Sequence, residues 1–152
     1  VADLFGACSA HYSAANPWPD REPWRTIDDP HQRLARALDE LYAWYERTEP
    51  MFSKVLRDLE LVDAIRPAIA PLQHFLAETA DILAAGRPAR GRRRRVLDAA
   101  LHHAIAFQTW RSLAADGRIT RTEAVELAAA LVDAATAPQR RATAPPPRAT
   151  AA

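Results

Sequence analysis

The chain has 152 residues, 49% hydrophobic and 26% charged, which suffices for one domain with a sizeable core and excludes two domains of ordinary size. Alanine occurs 34 times against 12 for valine and isoleucine together, and glycine only 4 times, a balance that favours helix over strand. The net charge of +1 hides a partition: residues 87–95 hold six Arg and the tail from Thr136 three, with no acid in either, while the other 126 residues hold 11 basic and 19 acidic side chains. That acidic body argues against a nucleic-acid-binding module, which would show a basic face.

Leu4, Phe5, Cys8, His11, Tyr12 and Ala15 fall at helical spacing with no capping signal before them, so residues 1–15 read as a helix entered midway. Asn16-Pro17-Trp18-Pro19-Asp20 breaks it, and a loop with one short turn around Pro23 should follow. Asp29 is placed as N-cap, with Pro30 at the first helical position and Gln32 set to complete a capping box. Leu34, Ala37, Leu38, Leu41, Tyr42, Trp44 and Tyr45 then form one wide apolar stripe, and the helix should run to about Thr48. Pro50 should restart or kink it, with Met51, Phe52, Val55, Leu56 and Leu59 continuing on a second axis.

Pro67 and Pro71 bracket a short segment, and Pro71 should open a helix with the stripe Leu72, Phe75, Leu76, Thr79, Ile82 and Leu83, stopped by Gly86. After the Arg-rich loop, residues from about Arg93 to Ala115 read as one long helix ended by Asp116-Gly117. One face carries Val96, Ala100, His103, Phe107 and Trp110 and another Leu97, Leu101, Ile105, Gln108 and Ser112, the mark of a helix buried on two sides. Four Arg at its start oppose the helix dipole, so the first of them should lie outside it. Thr120-Arg121-Thr122-Glu123 is a Thr-x-x-Glu capping box that opens a last helix with a narrow seam of Ala124, Leu127, Ala128, Leu131, Val132 and Ala135. Residues 136–152, with Pro145-Pro146-Pro147, have nothing to bury and read as a disordered tail. The sum is an all-α, antiparallel bundle of about five to six helices.

Few chemistries fit these residues. A single cysteine, Cys8, excludes an internal disulfide and a Cys-based zinc framework. His102 and His103 are adjacent and point about 100° apart on a helix, so they do not share a metal, and Glu-x-x-His pairs are absent; no metal or cofactor is expected. No nucleophile elbow, phosphate-cradling glycine loop or zinc-protease signature occurs, which disfavours an enzyme. Apolar stretches are broken by charge or Pro well short of 18 residues and no signal pattern opens the chain, so the expectation is a cytoplasmic protein without a membrane span.

Aromatic side chains spread over several helices could line an apolar cavity, with His74, His103 and Gln108 as polar tips; ordinary core packing is the plainer reading of any one of them, and only the set as a whole points to a pocket. Residues 87–95 could grip phosphates through their Arg forks. They interleave no aromatic for base stacking, and a solvated loop is the plainer reading.

The segments "LFGACSAHYSAANP", "ALDELYAWYERTEPMFSKVLRD" and "HHAIAFQTWRSLAADGRIT", in this order and spacing, resemble the C-terminal part of tetracycline-repressor-like (TetR) regulators over about residues 1–135. In that family an N-terminal helix-turn-helix reads operator DNA and the helical remainder binds an effector and dimerises. The resemblance implies that residues 1–15 are the connecting helix after a DNA-reading head that these residues do not include, and that residues 16–135 form the effector-binding and dimerisation domain. It implies a pocket for a small apolar effector lined by Trp44, Tyr45, Phe52, Leu56, Phe75, His103, Phe107 and Trp110. It also implies a homodimer seam of Leu101, Ile105, Ala124, Leu127, Ala128, Leu131 and Val132. Operator DNA would be contacted only through the head. The alternative is a free-standing nucleic-acid-binding or ligand-binding helical protein that uses the Arg87–Arg95 loop.

Overall fold

A computed structural model describes Tyr12, residues 14–59 and residues 66–137, with side chains described to Lys54 and again from Ile69. The fold is all-α: among the described residues there is no strand, and six helices follow one another. They are α1 (Glu22–Arg25), α2 (Pro30–Leu59), α3 (Arg66–Ala84), α4 (Arg92–Ala104), α5 (Phe107–Trp110) and α6 (Arg121–Thr136), with a π-helical turn (Arg111–Ala115) directly after α5. Of the expected connecting helix only Tyr12, Ala14 and Ala15 are described, all helical; the expected tail from residue 138 lies outside the described residues.

The central element is α2. Asp29 caps it by accepting the backbone N–H groups of His31 (2.7 Å) and Gln32 (3.1 Å), although the Gln32 side chain returns no bond to Asp29. Leu34, Leu38, Leu41, Tyr42, Tyr45 and Thr48 are fully buried, so the stripe repeats through about four turns and faces α3, α5 and α6 together. Each of the three leucines contributes about 1.5–3 kcal/mol by leaving water. The helix continues through Pro50, against the expected restart. Trp44 and Tyr45 pack on Phe52, at ring-centroid distances of 5.2 and 5.9 Å, and these contacts bridge the turn that Pro50 weakens.

Helix α3 begins at Arg66, five residues before the expected start, and holds Pro71 inside it. It ends before Gly86, which takes the left-handed conformation (φ 75°) anticipated for a helix stop. The carbonyls at that end are covered by a side chain the sequence did not single out. Arg33, 7% exposed, donates from its guanidinium to the carbonyls of Ile82 (3.4 Å) in α3, of Ala85 (2.6 Å) just after it, and of Ile27 (2.6 and 2.9 Å) in the loop before α2. A cation at a helix C-terminus also meets the negative end of its dipole.

The expected continuous helix over residues 93–115 is interrupted. It breaks at Ala106, whose backbone is extended (φ −72°, ψ 140°), because the carbonyls of Ala104 and Ile105 are taken by the hydroxyls of Tyr42 (2.8 Å) and Tyr45 (2.7 Å). Thr109 Oγ1 takes the His103 carbonyl at 2.5 Å. In the π turn the Asp116 N–H returns to the Arg111 carbonyl at 2.8 Å, and Gly117 follows where a Cβ would sit 2.2 Å from the Leu113 carbonyl oxygen. Helix α6 carries the expected capping box, Thr120 and Glu123 each bonding the other's backbone N–H. Ala124, Val125, Ala128, Ala129 and Val132 bury its inner face against α2 and α4, and this run of small side chains lets the three helices lie close. Arg121 fastens its start to α2 through Asp39 (2.9 Å) and Glu46 (2.8 Å).

Candidate functional site

The break after α4 aims α5 back at α2, and five rings meet there. Tyr45 lies 5.4 Å from Trp44, 5.3 Å from Phe107 and 5.9 Å from Trp110, and Phe52 stacks on Phe107 at 5.0 Å. Trp44, Tyr45, Phe107 and Trp110 are buried and Phe52 partly so. Five of the eight residues expected in a pocket thus form one cluster. Phe75 belongs elsewhere: on α3 it packs on Trp18 at 4.9 Å and under the Arg21 guanidinium at 4.8 Å. His103 is exposed, because the break at Ala106 ends the face it was expected to share with Phe107 and Trp110. His74 and Gln108 are exposed as well, and the side chain of Leu56 lies outside the described residues.

The polar atoms of the cluster divide into satisfied and unsatisfied. Trp44 Nε1 donates to the Asn16 carbonyl at 3.1 Å, and the Tyr45 hydroxyl is spent on Ile105. Burial pushes the Tyr45 hydroxyl above its usual range, with the neighbouring Tyr42 adding to the effect, and burial raises Tyr42 likewise. Both therefore stay neutral and act as hydrogen-bond donors rather than as acids or bases. Trp110 Nε1 is the exception: it is buried and finds no acceptor among the described residues. A buried donor without a partner costs about 1–3 kcal/mol, so an acceptor brought by a ligand would recover what packing leaves unsatisfied. At the edge of the cluster Arg111 reaches Ser53 Oγ (3.4 Å), which itself donates to Glu49 Oε1 (2.6 Å). Among the described residues no group of His, Cys, Asp and Glu is placed to hold a metal ion. The cluster thus combines packed aromatic rings, one buried donor without an acceptor among the described residues, and one polar edge.

The expected dimer seam separates into two sets. Leu101, Ile105, Ala124, Ala128 and Val132 are buried within the chain, so their place is the intrachain core and not a surface. Only one side of α6 was anticipated, and the helix is apolar on two. Leu127 (42% exposed) and Leu131 (54%) stand on its outer face with exposed Ala130 and Ala134 at helical spacing.

The Arg-rich segment also departs from its expected form. Helix α4 starts at Arg92, so all four consecutive arginines lie in its first turn, and its N-cap Gly91 (φ 56°) offers no side-chain cap. Arg94 pairs with Asp98 at 2.7 Å and Arg93 donates to the Thr136 carbonyl at 2.6 Å. Arg87 pairs with Asp133 at 2.7 Å, and Asp133 also bonds His31 Nδ1 at 2.6 Å. Partial burial raises the Asp133 carboxyl, but the bonds to Arg87 and His31 outweigh it and hold the group below its usual range. The sequence carried no sign of this link because its three members are far apart in the chain.

Comparison of the chain with protein-family models, curated proteins and solved structures returned no match. Among the described residues no helix is long and apolar enough to cross a membrane.

Proposed function

We propose that this chain is the ligand-sensing and dimerisation part of a TetR-like transcriptional regulator, with an apolar effector bound between α2 and α5. The observation that supports it is the convergence of Trp44, Tyr45, Phe52, Phe107 and Trp110, among them a buried indole N–H that has no acceptor among the described residues. The effector would be a small apolar molecule with one acceptor oxygen, its body among the rings and its oxygen on Trp110 Nε1. Entry requires a ring to move, and the extended residue Ala106 on one side of α5 and the π turn on the other are where the backbone gives most readily. The second copy would cover Leu127, Ala130, Leu131 and Ala134 on α6, where small residues between two leucines allow close approach. Operator recognition would belong to a helix-turn-helix unit preceding these residues, and the effector would act by favouring one disposition of the paired units. Such a protein would work in the cytoplasm.

The test is a titration of the purified chain with 6-propionyl-2-(dimethylamino)naphthalene, a neutral fluorescent apolar ketone whose carbonyl can accept from Trp110 Nε1, beside sedimentation analysis. Saturable binding that Trp110→Ala and Phe52→Ala each weaken about tenfold, and that Leu131→Glu leaves intact, supports the pocket. A dimer at micromolar concentration that Leu131→Glu converts to a folded monomer supports the outer face of α6. Probe binding unchanged by Trp110→Ala, or a monomeric wild type, overturns the reading.

A further inference from the structure

Charge and side-chain size are unevenly placed along the outer face of α6. Glu123, Glu126, Leu127, Ala130, Leu131 and Ala134 are all exposed and follow one another at intervals of three and four, so they form one straight stripe. Its first half is acidic, and it holds no basic residue. The Glu123 carboxylate is spent on the backbone N–H and the hydroxyl of Thr120. The ion pairs of α6 are made by Arg121 and Asp133, and among the described residues Glu126 makes none. The opposite charge stands at the other end of the helix. There the first turn of α4 meets the last turn of α6: the exposed Arg93 donates to the Thr136 carbonyl at 2.6 Å and, among the described residues, pairs with no acid. Glu126 lies about 15 Å before Thr136 along the axis, too far for it to meet Arg93 within one chain.

We infer that a second copy of this chain docks on α6 antiparallel, in the register that sets Leu127 against Ala134 of the second copy and Leu131 against its Ala130, with Glu126 of each copy paired to Arg93 of the other. The inference rests on the dimer proposed above and adds its direction, its register and a role for the Arg-rich turn. Two separate arguments select the same arrangement. By shape, only this register puts both leucines of each copy opposite alanines, so that each large side chain fills the space a small one leaves. By charge, the same register brings Glu126 level with Ala135 of the second copy, beside its Thr136 and hence beside the guanidinium of its Arg93. A parallel pair would instead set Glu126 against Glu126 and arginine against arginine. Because the contact is two-fold symmetric, each pair occurs twice.

The test is sedimentation equilibrium of the full chain at low ionic strength. Glu126→Arg and Arg93→Glu each turn both attractive pairs into repulsive ones and should weaken dimerisation about tenfold. An equimolar mixture of the two variants, in which every pair is again opposite in sign, should regain the wild-type affinity to within about threefold. Both side chains are exposed, and unchanged helical circular dichroism shows that the variants fold. A cysteine pair tests the register without charge and carries the test should either variant fail to fold. In a Cys8→Ala background, Leu127→Cys with Ala134→Cys should oxidise to a disulfide-linked dimer, whereas Leu127→Cys alone should not. Positions 127 and 134 lie about 10 Å apart within one chain, beyond the reach of a disulfide, so the link must join two copies. Unchanged dimerisation in either charge variant, a mixture no tighter than its components, or linkage in Leu127→Cys alone overturns the register and leaves the dimer standing. A wild type that stays monomeric at micromolar concentration leaves the face to another protein or to other residues of this chain, and overturns this inference together with the dimer itself.

Discussion

The Tyr45 hydroxyl donates a 2.7 Å hydrogen bond to the carbonyl of Ile105, 60 residues away in sequence, and with Tyr42 on Ala104 it ends α4 where the periodicity alone would carry the helix on. Two side chains of one helix thereby act as the C-terminal cap of another. The same bonds set the direction in which α5 leaves, and so bring Phe107 and Trp110 onto Tyr45 and Phe52. Fold and candidate site share these two hydroxyls.

Replacing either tyrosine by phenylalanine keeps the ring and deletes the bond, leaving a buried carbonyl without its donor. Tyr45→Phe and Tyr42→Phe should each lower unfolding free energy by about 1–3 kcal/mol in urea. Tyr45→Phe should also raise hydrogen exchange at Phe107–Trp110, where the chain has just turned. A loss below half a kcal/mol in both would show that the break at Ala106 has another cause.

Alkali should act through the same pair. Because burial raises both hydroxyls above their ordinary value of 10.0, the folded state resists their ionisation while the unfolded state does not. The stability they contribute is fully present below pH 10 and is lost as pH rises beyond it. Tyrosinate absorbance should therefore show two groups that ionise only with the loss of helical signal; ionisation of every tyrosine before unfolding would contradict the buried bonds.

Acid should act at the other end of the scale. Asp29, Glu78, Glu123 and Asp133 are all held below their usual values: Asp29 by backbone N–H groups, Glu78 by Arg21, Glu123 by Thr120, and Asp133 by Arg87 and His31 against its partial burial. Such groups stabilise the fold above the ordinary carboxylate range and cease to as pH falls through their lowered values. The melting temperature should be flat from neutrality to about pH 5 and fall steadily below about pH 4. Asp133→Asn should lower the neutral plateau and flatten the acid limb.

Arg33 is the cation to remove if the end of α3 is to be tested. Arg33→Ala orphans the carbonyls of Ile27 and Ala85, and the expected cost is about 2–4 kcal/mol. Arg33→Lys should recover only part of it, since an ammonium lacks the planar fork that spans both segments. Full recovery by lysine would assign the effect to charge alone.

The unpartnered indole gives a comparison within one fold. Trp44→Phe breaks a bond to Asn16, whereas Trp110→Phe removes a donor that bonds nothing, so Trp110→Phe should cost about 1 kcal/mol less. Equal costs would mean that Trp110 Nε1 is satisfied in solution, and the argument for a ligand acceptor would lose its support.

Much of this protein was determined locally and can be read from the sequence. The Asp29 and Thr120 caps, the stop at Gly86, the short turn after Pro23 and the stripe of α2 all depend on residues within a turn or two of one another. Capping and amphipathic spacing are short-range physics, so sequence suffices for them. The aromatic residues of the cluster were recognisable by type and spacing, although Phe75 and His103 were grouped with them on faces that the tertiary structure divides. What the tertiary structure alone decided was how long each helix runs and which face is already occupied. Ring contacts from Trp44 and Tyr45 to Phe52 carry α2 through Pro50, and tyrosine hydroxyls on another helix halt α4 at Ile105. The inner seam of α6 is consumed by α2 and α4, which leaves Leu127 and Leu131 outward. A proline or an alanine seam has only a weak preference of its own, less than what a few buried rings or hydrogen bonds contribute, so the long-range contacts prevail.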